Sequence, residues 1–81
     1  MRARQAAAIR RYTAARRALD ENSLAEYAAG VTGETPDFLA ANREAHEAGR
    51  ALSAWRRRRI AARVARELDY WSRMRQIRRQ S

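Results

Sequence analysis

The side chains best suited to recognise a ligand are arginines in the C-terminal third of the chain. Four consecutive arginines occupy positions 56–59, and others follow at spacings of three or four residues. Side chains at these spacings share one face of an α-helix. The planar guanidinium group binds phosphate through two parallel hydrogen bonds and also stacks on bases. The predicted phosphate-binding residues, with one tyrosine able to stack, are Arg56, Arg57, Arg58, Arg59, Arg63, Arg66, Tyr70 and Arg73.

A second set of residues in the same segment is apolar and lies on a different helical face. At about 100° per residue, most of this set is turned by roughly 120° from the arginine row. An apolar face of this kind packs against a second copy, a partner protein or the rest of the chain, and tryptophan is a frequent anchor of interfaces. The predicted interface residues are Trp55, Ile60, Val64, Leu68, Trp71 and Met74.

Nothing in the chain predicts catalysis, a cofactor or a metal site. His46 is the only histidine, and Glu44 and Glu47 beside it form a poor metal site at these spacings. Ser23 and Ser53 have no plausible general base. The glycines lack the strand context of a phosphate-binding loop, and there is no cysteine. We therefore predict a non-enzymatic protein that binds no cofactor and no metal.

Helices are expected to position all of these residues, because the chain is rich in helix-forming alanine and arginine. The sequence predicts a first helix at about residues 2–19, a short corner helix at about 23–30 and a long basic helix at about 36–79. The predicted fold is all-α, a helical hairpin with a basic C-terminal extension. Residues 1–81 are predicted to form a single domain, since a chain of this length holds one small core.

Capping signals define the predicted helix boundaries. Ser23 with Glu26 fits a capping box that would start the corner helix, and Gly30 fits a C-terminal cap. Thr35 is a good N-cap residue, and Pro36 suits the first position of the long helix.

The long predicted helix is not expected to remain straight. A continuous helix over residues 36–79 would be about 65 Å long at ~1.5 Å per residue, which is too long for so small a domain. The apolar line of its first half continues as the arginine row of its second half, so the two halves present different faces. We therefore predict either a kink near residues 53–59 or a partner that covers this segment.

The composition of the chain narrows the class of partner. The 81 residues carry a formal net charge of +9, and all 18 basic residues are arginine. Such an excess favours a polyanion as partner: nucleic acid, an anionic membrane surface or an acidic protein surface. The abundance of arginine and alanine suggests a GC-rich coding sequence, as in a high-GC bacterium, a phage or a mobile element. The chain shows no signal-peptide pattern and no apolar run of membrane-spanning length, so we predict a cytoplasmic protein.

Three interpretations of the C-terminal segment follow. In the leading one, the protein is a small nucleic-acid-binding or regulatory accessory protein whose arginines contact phosphates of DNA or RNA. In the second, the apolar stripe docks onto a partner protein or a second copy, as an adaptor or homodimer, and the arginines are solvated. A homodimer would also supplement a small core worth roughly 3–5 kcal/mol. In the third, the helix breaks and its second part folds back into one intramolecular core.

Overall fold

The computed structural model describes residues 2–80, which form three α-helices and no strand. The helices are α1 (Arg2–Ala28), α2 (Pro36–Gly49) and α3 (Ala54–Gln80). The predicted all-α class is therefore confirmed. Helix α1 is central, because it packs against both other helices, whereas α2 and α3 make little contact with each other.

Helix α1 is continuous over 27 residues, so the predicted end near residue 19 and the separate corner helix at about 23–30 are wrong. Pairs of polar side chains one helical turn apart stabilise the helix in its polar segment. Arg16 Nε lies 3.2 Å from Asp20 Oδ1, and Asn22 Nδ2 donates to Glu26 Oε2 at 3.0 Å. Such pairs one turn apart support a helix, and Asp or Asn costs at most about 0.7 kcal/mol relative to Ala in its interior.

Helix α1 ends next to Gly30, the residue that the sequence predicts as a C-terminal helix cap. Gly30 has a positive φ of 72°, which glycine adopts without steric cost. Its N–H donates to the carbonyl of Tyr27 at 3.1 Å, and the N–H of Val31 donates to the carbonyl of Glu26 at 2.9 Å. These two bonds form a Schellman motif, which satisfies carbonyls left free at the helix end.

The start of α2 is tied to the end of α1 through one carboxylate. Thr35 is the N-cap, and its Oγ1 accepts the N–H of Phe38 at 3.0 Å. The Thr35 hydroxyl donates to Glu26, which the sequence had suggested as the partner of Ser23. Ser23 is instead an exposed residue inside α1. The capping box is therefore wrong, although Glu26 does help to fix the corner.

Helix α2 runs antiparallel to α1, and an ion pair fixes its far end. Arg11 Nη2 donates to Glu44 Oε1 at 3.0 Å, and Arg11 Nε donates to Glu44 Oε2 at 3.1 Å. The hydrogen bond from Arg11 holds the pKa of Glu44 below its usual value. Because the folded pKa is lowered, this pair stabilises the fold above the unfolded pKa of glutamate and ceases to do so as the pH falls through the folded pKa. Both side chains are about half exposed, so its effect on stability is small.

The long predicted helix is interrupted at residues 50–53, which overlap the start of the predicted kink region at Ser53. Ser53 acts as the N-cap of α3, since its Oγ accepts the N–H of Arg56 at 3.2 Å. Leu52 is buried in the turn and anchors it to the core. The arginines at 56–59 consequently lie in the regular first turns of α3, not at a bend.

Helix α3 folds back along α1, and the first part of its apolar stripe enters the core. Val64 is completely buried and Ile60 nearly so, while Leu68 packs at the edge. Two of the predicted interface residues, Ile60 and Val64, are therefore core residues of the monomer. The third interpretation is correct for this half of the stripe. The buried core consists of Tyr12, Ala15, Leu19, Ala45, Ala48, Leu52, Ile60 and Val64.

Gly49 lies close to Arg57 and Tyr12, and enlarging it should destabilise the fold. A Cβ on Gly49 would lie 2.8 Å from Arg57 Cδ and 3.1 Å from Tyr12 Cε1. We expect Gly49→Val to lower the free energy of unfolding by about 1–3 kcal/mol, the typical cost of overpacking. Urea denaturation followed by circular dichroism measures this difference. Ala40→Val, at an exposed position of the same helix, is the control, and equal losses in both variants would contradict the packing described.

Candidate nucleic-acid interface

A groove on the outer side of α1 and α3 gathers four arginines around a tryptophan. We call it the basic groove. Its lining residues are Ile9, Trp55, Arg56, Arg59, Ile60, Arg63 and Arg66. The arginines recur at spacings of three, four and three residues, which keeps them on one face of α3. Ile60 anchors this turn of α3 in the core, so the arginines have a fixed support.

Trp55 and Arg59 form a stacked pair within the basic groove. The guanidinium carbon of Arg59 lies 4.9 Å from the centre of the Trp55 ring, a cation–π distance. The two residues are one helical turn apart, so α3 itself imposes this contact. Trp55 nevertheless remains 56% exposed. The groove thus presents an aromatic surface that is held in place and still accessible to a ligand.

The basic groove has few acids to neutralise it. Among residues 2–80, Arg56, Arg59 and Arg66 form no ion pair with a carboxylate. Arg63 Nε lies 3.9 Å from Glu67, whose carboxylate is also paired with Arg17 of α1. Three guanidinium groups therefore have donors free to bind an anion.

Helix direction reinforces the positive charge at this end of the molecule. Helices α1 and α3 run parallel. Ile9 of α1 lines one groove with Ile60 of α3 near their N-termini, and Tyr27 of α1 lines another with Arg79 of α3 near their C-termini. Both N-termini therefore point the same way, and neither helix has an acid in its first turn. The positive end of the α3 dipole adds to the charge of Arg56, which lies in the first turn of that helix. Seven of the nine acids lie in residues 20–47, at the C-terminal part of α1, in the turn that follows and along α2.

Arg57 does not line the basic groove, and it has a structural role that the sequence does not predict. Its Nη1 donates to the carbonyl of Gly49 at 3.0 Å and also to the carbonyl of Leu52. These are carbonyls at and just beyond the C-terminus of α2, and a cation there is favoured by the helix dipole. Arg57 therefore joins α2 to α3. A run of four arginines gives no sign that one of them has this structural role.

The remaining predicted phosphate ligands are distributed differently. Arg58 is exposed but does not line the basic groove, since it points about 100° away from Arg59. Arg73 is paired with Asp69 at 3.1 Å. Tyr70 lies one turn beyond Arg66 on the same face and is 55% exposed. The groove and Tyr70 together thus retain five of the eight predicted residues: Arg56, Arg59, Arg63, Arg66 and Tyr70.

The other predicted interface residues are divided between the two ends of α3. Trp55 belongs to the basic groove, whereas Trp71 is 55% exposed in the C-terminal half, where Met74 is partly buried. Leu24 and Tyr27 of α1 line a second groove there, and Tyr27 is 84% exposed. Five apolar residues line this second groove, Leu24, Ala25, Tyr27, Ala28 and Leu68, together with five polar or charged residues, Glu21, Ser72, Arg75, Gln76 and Arg79. Sequence reasoning missed it because it assigned Leu24 and Tyr27 to a separate helix.

No group of three His, Cys, Asp or Glu side chains within residues 2–80 is placed to hold a metal ion. His46 is exposed beside a surface cavity formed with Tyr12 and Gly49. None of the helices in this range is long and apolar enough to cross a membrane.

Comparison with protein-family models, with curated proteins and with solved structures returns no match for this chain. A function must therefore be argued from the residues themselves.

Proposed function

We propose that the protein binds the phosphate backbone of nucleic acid through the basic groove, as a small non-enzymatic accessory protein. The main support for this proposal is a set of three guanidinium groups on one helical face, Arg56, Arg59 and Arg66, which have no carboxylate partner among residues 2–80. Arginine donors in a fixed row match the regular spacing of phosphates along a strand. A cytoplasmic protein of a high-GC bacterium, a phage or a mobile element fits this role.

The net charge supports the same proposal at longer range. A charge of +9 on 81 residues attracts polyanions before any contact forms. Because the acids lie mainly along α2 and the adjoining corner, the attraction favours approach from the side of the groove. An acidic protein surface would be attracted in the same way, and it differs from nucleic acid in lacking regularly spaced phosphates.

Salt dependence tests the proposal. Contacts from three or four arginines should give a slope of about −2 to −4 in a plot of log affinity against log salt, since each neutralised phosphate contributes about −0.7 to −0.9. Fluorescence anisotropy with labelled oligonucleotides measures the slope. Absence of binding at low salt to single strands, duplex DNA and RNA would overturn the proposal, as would binding that does not change with salt.

Self-association is a second candidate function, favoured by exposed apolar side chains in the C-terminal halves of α1 and α3. Tyr27, Trp71 and Ile77 are all more than half exposed in the monomer. Large exposed apolar patches often mark protein contacts. None of these three residues lines the basic groove, although Ile77 shares a helical face with Tyr70 and Arg66.

Trp71→Ala tests the second candidate. If the protein is a homodimer through this surface, the substitution should reduce the mass in solution from that of two chains to that of one, because a buried interfacial tryptophan commonly contributes more than about 2 kcal/mol. Light scattering coupled to size-exclusion chromatography measures the mass. Arg59→Gln on the other surface is the control and should leave the mass unchanged. A wild-type protein of one-chain mass would rule out the homodimer.

A further inference from the structure

We infer that the basic groove takes a single-stranded nucleic acid rather than a duplex. This inference rests on the proposed function and specifies its ligand. It depends on the aromatic residues that share a helical face with the arginines. Trp55 and Tyr70 are each more than half exposed, at the two ends of the row formed by Arg59, Arg63 and Arg66.

The Trp55 ring is prepared for stacking by the contact with Arg59. That guanidinium lies over the ring at 4.9 Å and restrains it, while more than half of the residue remains open to solvent. An unpaired base presents its flat face and can extend such a stack. In a duplex the faces of the bases are covered by their neighbours, and only their edges are accessible in the grooves. The exposed indole therefore gains a partner from a single strand and not from a duplex.

Tyr70 provides a second aromatic surface farther along the same face. Fifteen residues separate it from Trp55, which corresponds to about 22 Å of helix at ~1.5 Å per residue. That length matches about six stacked nucleotides at ~3.4 Å each. The Tyr70 ring meets the Trp71 ring at 5.2 Å and 80°, an edge-to-face contact that restrains its orientation. Phosphates between the two aromatic residues would pass the arginine row.

The shape of the basic groove also favours a single strand. Duplex readout places a projecting helix into a major groove about 12 Å wide. In this protein, Trp55 and the arginines instead line a recess, with Ile9 of α1 among its lining residues. Helix α3 is held beside α1 by the buried residues Ile60 and Val64, so it does not stand clear of the molecule. A recess with aromatic residues along it accommodates an unpaired strand.

The fluorescence of Trp55 reports this binding directly. Trp71→Phe removes the other tryptophan, and the resulting protein is titrated with 12-nucleotide oligo(dT), oligo(U) and a 12-base-pair DNA duplex. We expect the single strands to quench Trp55 and to bind at least about tenfold more tightly than the duplex. A further titration with oligo(dU), which differs from oligo(U) in the sugar alone, identifies the preferred sugar. Equal affinity for the duplex, or no quenching when a single strand binds, would overturn the inference.

Two substitutions at the same position separate stacking from folding. Trp55→Leu should weaken single-strand binding by about 5- to 100-fold, the range typical of a lost base stack, and leave duplex binding unchanged. Trp55→Phe should restore most of the affinity, because it restores an aromatic face. Duplex and single-strand binding that are both salt-dependent and both insensitive to Trp55→Leu would overturn the inference while leaving the proposed function intact. Absence of binding to every oligonucleotide would overturn both.

Discussion

Replacing Arg56, Arg59 and Arg66 together with glutamine should weaken nucleic-acid binding by about 10- to 100-fold at low salt and reduce the salt slope by about 2–3. These three arginines line the basic groove, and none of them pairs with a carboxylate in the described range 2–80. Glutamine keeps much of the side-chain length and loses the charge, so the counterions that each arginine displaces are no longer released. Fluorescence anisotropy across a salt series measures both quantities. The fold should be unchanged, because all three side chains lie outside the buried core.

A matched variant separates this effect from a general loss of charge. The control variant changes Arg43, Arg50 and Arg58 together to glutamine. It removes the same number of positive charges, but from exposed positions outside the basic groove. We expect this control to lose less than about threefold in affinity, through the weaker long-range attraction alone. Equal losses in the two triple variants would show that net charge, and not the groove, determines binding.

Val64→Ala should bring the protein close to unfolding. Val64 is fully buried between α3 and the other helices, so its loss removes apolar contacts and leaves a cavity. We expect a cost of about 2–3 kcal/mol, against a core of this size that supplies roughly 3–5 kcal/mol. Thermal unfolding followed by circular dichroism should show a markedly lower midpoint than in the wild type.

Leu39→Ala is the control for this second substitution. Leu39 is 43% exposed on α2, so the same kind of truncation there should change stability by only about 0.5 kcal/mol. If Val64→Ala lowered the stability no more than Leu39→Ala does, α3 would not be packed on α1. The apolar stripe would then be free to bind a partner, as the second interpretation of the sequence holds.

The helical class and the strongest caps could be predicted from sequence because they depend on local chemistry. Thr35 and Gly30 act through hydrogen bonds to residues within one turn. The cap at Ser53 is equally local and could also have been found. The sequence predicts an interruption near residues 53–59 from the change of apolar face, but the cap that starts α3 was not identified. The continuity of α1 was missed because the polar residues near Asp20 were interpreted as an end, although Arg16 pairs with Asp20 within the helix.

The distribution of roles among the arginines could not be predicted from sequence. Positions 56–59 are chemically identical, yet Arg57 binds carbonyls at the end of α2, Arg59 stacks on Trp55 and Arg58 points to solvent. Their roles depend on where α2 ends and how α3 folds back, which are tertiary features. The phase of the arginine row was nevertheless sufficient to predict that Arg59, Arg63 and Arg66 share one face.

The most direct test of the proposed function observes the arginine side chains during binding. In ¹H–¹⁵N spectra of the Nε–Hε groups, addition of a 12-nucleotide single strand should shift the signals of Arg56, Arg59 and Arg66. The signal of Arg57, which is held by backbone carbonyls, should stay in place. Shifts confined to arginines outside the basic groove, or no shifts at saturating oligonucleotide, would contradict the assignment of the groove as the nucleic-acid-binding site.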